Sequence, residues 1–359
     1  MKVSRASALS NIMALGAFAA AWVAANAAEP AEDGGKFVAP KTEFGHPDLR
    51  GVWNFSSNTP LERPVRYKDR EFITKEEFAE MQKQRRARSE AADNSADSGI
   101  GGVGGYNQFW IEGHDQGANL RTSLIIDPPN GRLPPRQPGV KVEFGGLGPD
   151  TGGERPVRFR VGGVRKDGYL DRGLSERCLM GFNSGPPFMP SMYNNNVQIF
   201  QSKNHVVIMT EMIHDARIVP IDGRPHLDPE LTQWSGDSRG HWEGDTLVVK
   251  TINFTDKTQA FHGSGDGSDL TLTERFTRVG PDRIDYQFTV EAPKTYTAAI
   301  TVLVPMVRAD GELFEYACHE GNYGLPNILQ GEREAERAAA VKETAANEAV
   351  AKESAKKKR

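Results

Sequence analysis

From residue 196 onward the chain alternates apolar and polar positions in short runs, with Asn, Asp, Gly or Pro between most of them. The runs at 197–200, 205–212, 217–221, 246–254, 270–279, 283–290, 296–307 and 313–318 are β-branched or alternating. That period of two sets one face of a strand against a core and the other against water. Val279-Gly280-Pro281-Asp282-Arg283 reads as a hairpin turn, and Asp310-Gly311 carries a second hairpin signal. Strands do not alternate with helical segments, so a Rossmann-like core is not expected. A series of up-and-down strands must hide its edges, most commonly by closing into a barrel. The expected fold is therefore mainly β, an antiparallel barrel or sandwich of roughly eight to ten strands.

The first half is less regular. Residues 48–55 form a short alternating strand. Thr74 and Glu77 have the spacing of a capping box, which predicts a charged helix from there to about Ser89. Residues 91–105 are small, polar and Gly-rich and read as an exposed loop. A strand at 122–126 should end at the turn Asp127-Pro128-Pro129-Asn130-Gly131. Residues 136–173 are irregular and rich in Gly, Pro and Arg, and the irregular first half as a whole would pack over one end of the β domain to shape a cleft. After Gly331 the chain is Ala, Glu, Lys and Arg with almost no apolar face, a solvated helix or a frayed tail.

The N-terminus changes the compartment. Lys2 and Arg5 precede an apolar, small-residue stretch at 12–25, and Ala25-Asn26-Ala27 has the pattern of a signal-peptidase site. The stretch is short for a membrane span, and no other long apolar run follows, so no transmembrane span is expected in the mature chain. The expected organisation is a signal peptide at 1–28, a disordered lead-in at 29–45, one β-rich domain at 46–330 and a charged tail at 331–359, in a periplasmic or secreted protein. Removing Lys2 and Arg5 takes the formal charge from −4 to −6, the opposite of a nucleic-acid footprint. Export also bears on the two cysteines, Cys178 and Cys318. In an oxidising compartment an even, minimal count favours one disulfide over two buried thiols.

Candidate chemistry is concentrated between Tyr193 and Tyr323, where polar clusters abut strand-like runs. His214 and Asp215 are candidates for proton transfer, with Arg217, two residues beyond Asp215, placed to hold an anionic or carbonyl oxygen. His319 and Glu320 follow Cys318 directly, and a disulfide there would hold an acid/base pair rigidly. Arg239 is a second candidate for binding oxygen-bearing groups, and Trp242 and Tyr323 are candidates to line a pocket, although Trp242 reads more simply as a core plug. Tyr193 and Asn195 lie in an amide-rich segment that suits a turn and would also suit sugar hydroxyls. Gly236-Asp237-Ser238-Arg239-Gly240 matches the nucleophile-elbow pattern, but a strand rather than a helix follows, so a tight turn is expected. The histidines lack metal-ligand spacing. Ligands can still converge from distant strands, so the expectation is no cofactor, with a metal left open.

Several segments resemble a family of uncharacterised exported bacterial proteins: residues 48–55, 121–132, 176–178, 210–226, 236–254 and 315–324. The resemblance implies export and a β-rich fold and brings no activity with it. Gly51-Val52-Trp53 is similar to the G-x-W start of lipocalins, which implies a barrel with a ligand cavity. The functional expectation is an exported enzyme doing cofactor-independent acid/base chemistry on a small organic molecule, as a lyase, isomerase or hydrolase. The alternatives are a lipocalin-like periplasmic carrier and an envelope interaction module.

Overall fold

The longest alternating runs form the longest strands. In the computed structural model, which describes residues 37–96, 119–140, 142 and 167–357, β8 (Thr271–Gly280), β9 (Arg283–Glu291) and β10 (Ile300–Arg308) form an antiparallel meander. Only Pro281 and Asp282 separate β8 from β9, the hairpin expected there. The remaining strands are β1 (Gly51–Asn54), β2 (Ile125–Asp127), β3 (Asn196–Gln201), β4 (His205–Thr210), β5 (Ala216–Pro220), β6 (Asp237–Glu243) and β7 (Thr246–Ile252). One antiparallel sheet runs in the order β5-β4-β3-β1-β10-β9-β8-β7-β6, with β2 paired to β10. The sheet curls until its terminal strands meet, giving a nearly closed barrel. At that seam a Cβ on Gly240 of β6 would lie 2.9 Å from Ile221 and 3.0 Å from Val219, so only glycine lets β5 approach so closely.

Alternation fills the interior. Trp53, Ile199, Ile208, Leu272, Phe276, Ile284, Phe288, Val302 and Val304 are all buried in one core. At one end the ring N–H of Trp53 donates to Leu49 O at 2.8 Å, and the guanidinium of Arg308 lies over the indole at 4.4 Å. Gly51 makes that stack possible: its φ is +125°, and a Cβ there would sit 2.5 Å from Arg308 Nη1. The polypeptide before β1 closes this end as well. Asp48 N donates to Pro40 O at 2.7 Å, Ala39 is buried, and His46 stacks on Trp242 with ring centroids 5.1 Å apart. Residues 37–45 of the lead-in expected to be disordered are therefore ordered, held to this end of the barrel by the buried Ala39 and Thr42 while Val38 stays exposed.

α1 (Lys75–Ala96) opens on the expected capping box: Glu77 N donates to Thr74 Oγ1 at 3.1 Å, and Thr74 N donates to Glu77 Oε2 at 2.8 Å. It runs past Ser89, so residues 91–96 are helix rather than loop. α2 (Gly324–Lys357) starts seven residues before the expected tail, with Asn322 Oδ1 accepting from Leu325 N at 3.4 Å at its entry. The run at 313–318 forms no strand. It is held instead by the Cys178–Cys318 disulfide, whose Cα atoms are 5.7 Å apart. No described helix is long and apolar enough to cross a membrane. The expected signal peptide at 1–28 and most of the irregular segment 136–173 lie outside the described residues.

Candidate functional site

The barrel interior carries one departure from its apolar pattern. On β8 the inward positions are Leu272, Glu274 and Phe276, and Glu274 is completely buried. β9 brings Tyr286 inward beside it, and the phenol donates to Glu274 Oε1 at 2.8 Å. From β5, across the seam, Arg217 reaches the same carboxylate in a bidentate pair, with Nη2 3.0 Å from Oε1 and Nη1 on Oε2.

A loop closes the network from the barrel's end. Phe188 N donates to Tyr286 OH at 3.1 Å, and its ring packs 5.5 Å from Tyr286 and 5.5 Å from Phe55. The Arg217 guanidinium lies 5.6 Å from the centre of the Phe188 ring. Ser184, at the other side of this Pro-Pro loop, donates to Met212 O at 2.9 Å. Arg217 Nε is buried and has no hydrogen-bond partner among the described residues. At the same barrel end Asn54 Nδ2 donates to Asn196 Oδ1 at 2.9 Å, and Asn196 Nδ2 donates to Glu211 Oε2 at 2.7 Å.

Burial works against the charge on Arg217, but the adjacent Glu274 carboxylate outweighs it and holds the guanidinium above its usual range. Burial, reinforced by the charge of Glu274, pushes the Tyr286 phenol well above the usual tyrosine range. The phenol therefore stays a proton-bearing donor at every physiological pH. The linkage has a definite sign. A raised native pKa contributes stability that is full below the unfolded value of about 10 and is lost as pH rises past it, because the unfolded tyrosine then ionises first. Urea midpoints measured from about pH 8 to about pH 11 are expected to fall above pH ~10, and to fall less in Tyr286→Phe.

The residues nominated from sequence are distributed differently. Arg217 belongs to this network, although its partner is Glu274 rather than a substrate oxygen. His214 is exposed, and its Nδ1 lies 3.0 Å from the carbonyl of Tyr316, an acceptor that selects the Nδ1–H tautomer. The fold thus brings His214 to the segment that carries His319 and Glu320, both exposed. Glu320, Tyr316 and Cys318 line an open groove of about 430 Å³ on the outer surface. Asp215 is half-buried, and its carbonyl accepts from Thr210 N at 2.9 Å. Tyr323 is 72% exposed.

Four nominations become structural. Asn195 is buried and folds its turn onto Ser191, whose N donates to Asn195 Oδ1 at 2.7 Å. Tyr193 packs edge-on against Phe182. Trp242 points inward and plugs the core beneath His46. Arg239 is spent on the seam: its Nη1 donates to Asp237 Oδ1 at 2.6 Å and its Nε to Pro225 O at 2.8 Å. Asp237 also takes His226 Nδ1 at 2.8 Å and Leu227 N at 3.0 Å, so a buried carboxylate clamps the β5–β6 connection over the unbonded edge. Ser238 lies within β6, buried and bonded to Thr251 Oγ1 at 2.9 Å, which rules out a nucleophile elbow.

Glu274 and Tyr286 were overlooked in the sequence. The signal was present, an acid and a hydroxyl at inward positions of otherwise apolar alternations, Leu272-x-Glu274-x-Phe276 and Ile284-x-Tyr286-x-Phe288. Among the described residues no three His, Cys, Asp or Glu side chains converge as metal ligands would. No protein-family model matches the chain, and no curated protein is found similar to it. Fold and site alone define the class: a nearly closed antiparallel β-barrel with an ion-paired Arg–Glu–Tyr centre and a disulfide-anchored C-terminal segment.

Proposed function

We propose that this chain is an exported enzyme that performs proton-transfer chemistry on a small organic molecule, with its centre at the Arg217–Glu274–Tyr286 end of the barrel. The observation that carries the reading is the network itself. Three polar groups converge in an apolar interior, where an ion pair is often no more stabilising than hydrophobic residues of the same volume. Groups held in this way, with a phenol shifted out of its normal range, are typical of reacting centres. In this reading the Phe188 loop moves aside and a substrate hydroxyl takes over its donation to Tyr286 OH. The substrate proton passes to the phenol oxygen as the phenol's own proton passes to the Glu274 carboxylate, so Glu274 is the base, Tyr286 the relay, and Arg217 Nε the donor that orients the substrate. The leader-like N-terminus and the disulfide support export. The aromatic filling of the barrel weighs against a lipocalin-like carrier, because Trp53, Phe55, Phe188, Phe276 and Phe288 occupy the space a ligand would need.

The test is a turnover screen of the signal-cleaved protein against glycosides, aryl ethers and hydroxylated terpenoids, read by mass spectrometry. One class should be converted, and Tyr286→Phe should lower kcat/KM by about 10²–10⁴-fold while the fold persists. His214→Ala and His319→Ala serve as the contrast. If they abolish turnover and Tyr286→Phe does not, the centre is the outer groove. If nothing is converted, the interaction-module reading replaces the enzyme, with Phe200, Val207 and Ile218 aligned across the outer face of β3, β4 and β5 as its natural surface.

A further inference from the structure

A second depression lies outside the barrel, beneath α1. Phe78, Met81 and Arg85 are spaced to share one face of the helix, which overlies the strand-free arm at 58–67 and the segment entering β2. The groove encloses about 280 Å³, near the lower limit of small-molecule sites and suited to a ligand of one ring. Its walls divide by chemistry. Tyr67, Ile73, Phe78 and Met81 form an apolar side, fastened where Tyr67 OH meets Met81 Sδ at 3.6 Å. Arg66, Arg85 and Arg121 form a cationic side, and none of the described lining side chains is acidic.

Two donors on the cationic side are buried without a partner. Asn119 is 7% exposed; its Oδ1 accepts from Arg121 N at 3.2 Å, while its Nδ2 has no hydrogen-bond partner among the described residues. Arg121 pairs with Glu71 through Nη2 and lies over Phe72 at 4.9 Å, yet its Nε is buried without a hydrogen-bond partner among the described residues. A buried unsatisfied N–H is costly, and both donors sit in one groove rimmed by arginine, where an oxygen acceptor would satisfy them. Arg66 adds a charge with no carboxylate partner among the described residues; its Nη2 donates to Tyr67 OH at 3.3 Å and its guanidinium lies over the Tyr67 ring at 4.7 Å.

We propose that this groove binds a small organic carboxylate with a flat apolar body. The carboxylate would accept from Asn119 Nδ2 and Arg121 Nε under the field of Arg66, and the body would lie against Tyr67, Phe78 and Met81. The site is separate from the barrel network and does not depend on the function assigned to that network.

Calorimetric titration of the full mature chain with cinnamate, cinnamamide and inorganic phosphate tests this. Cinnamate should bind, and cinnamamide should bind about tenfold or more weakly, because it lacks the charge that strengthens each hydrogen bond. Phosphate should not bind measurably, since it has no body for the apolar wall. Asn119→Leu and Arg66→Gln should each weaken cinnamate by about tenfold, while Tyr286→Phe should leave its affinity unchanged. Arg66 is exposed, so its variant remains informative if Asn119→Leu fails to fold. Equal binding of cinnamate and cinnamamide, no binding of either, or unchanged affinity in Arg66→Gln would overturn the assignment. Loss of cinnamate binding in Tyr286→Phe would move the carboxylate site into the barrel.

Discussion

Glu274→Ala is expected to destabilise the protein by about 3–5 kcal/mol, among the largest effects of any single substitution in the barrel. The cause is what remains behind. Arg217 keeps its charge in the interior with both Nη donors released from the carboxylate, and Tyr286 loses the acceptor of its hydroxyl proton. Glu274→Gln should cost less, because the amide oxygen can still accept, but it leaves the guanidinium without a countercharge. The double variant Arg217→Met with Glu274→Leu separates structure from chemistry. Both charges leave together and the volume is kept, so stability should return to within a few kcal/mol of wild type or exceed it. Urea unfolding of all four proteins gives the comparison. If Glu274→Ala unfolds at the wild-type midpoint, the carboxylate is not buried against Arg217 in solution and the proposed centre fails with it. If the stable double variant keeps full turnover, the network is a packing device.

Breaking Cys178–Cys318 is the second large effect. The two residues are 140 positions apart, and the chain-entropy model gives about 5 kcal/mol for closing a loop of that length. The bond also acts locally. It anchors the segment 313–323, which has no strand partners of its own, and brings Tyr316 to His214. Cys178→Ser with Cys318→Ser should therefore lower the urea midpoint strongly, and wild type in reductant should match it. A midpoint indifferent to reductant, with two titratable thiols in the native protein, would mean that the bond does not form.

These predictions draw on parts of the molecule that differ in how far the sequence disclosed them. Glu274 and Tyr286 stood in plain alternation, and parity alone puts them inside. What parity does not contain is their partner. Arg217 is 57 residues from Glu274 in the chain, and the two meet only because the sheet curls until β5 faces β6. The same curling turns Arg239 from an apparent site residue into part of a clamp on the seam, where it pairs with the buried Asp237. The stretch 313–318 misled in the opposite direction. It has strand-like residues, but by the end of β10 the strands' places in the sheet are filled, and a covalent tether holds it instead.

Local order is what the linear sequence determined by itself: the β meander, the Pro281-Asp282 hairpin, the Thr74–Glu77 cap and the count of cysteines that could pair. Each depends on neighbours a few residues apart, where spacing sets geometry. Closure of the barrel, the ion pair across its seam, the plug made by the Phe188 loop and the donor-lined groove under α1 were decided only by the tertiary structure. They join residues tens to hundreds of positions apart, and such contacts follow from how the whole sheet buries its inward face rather than from any local pattern.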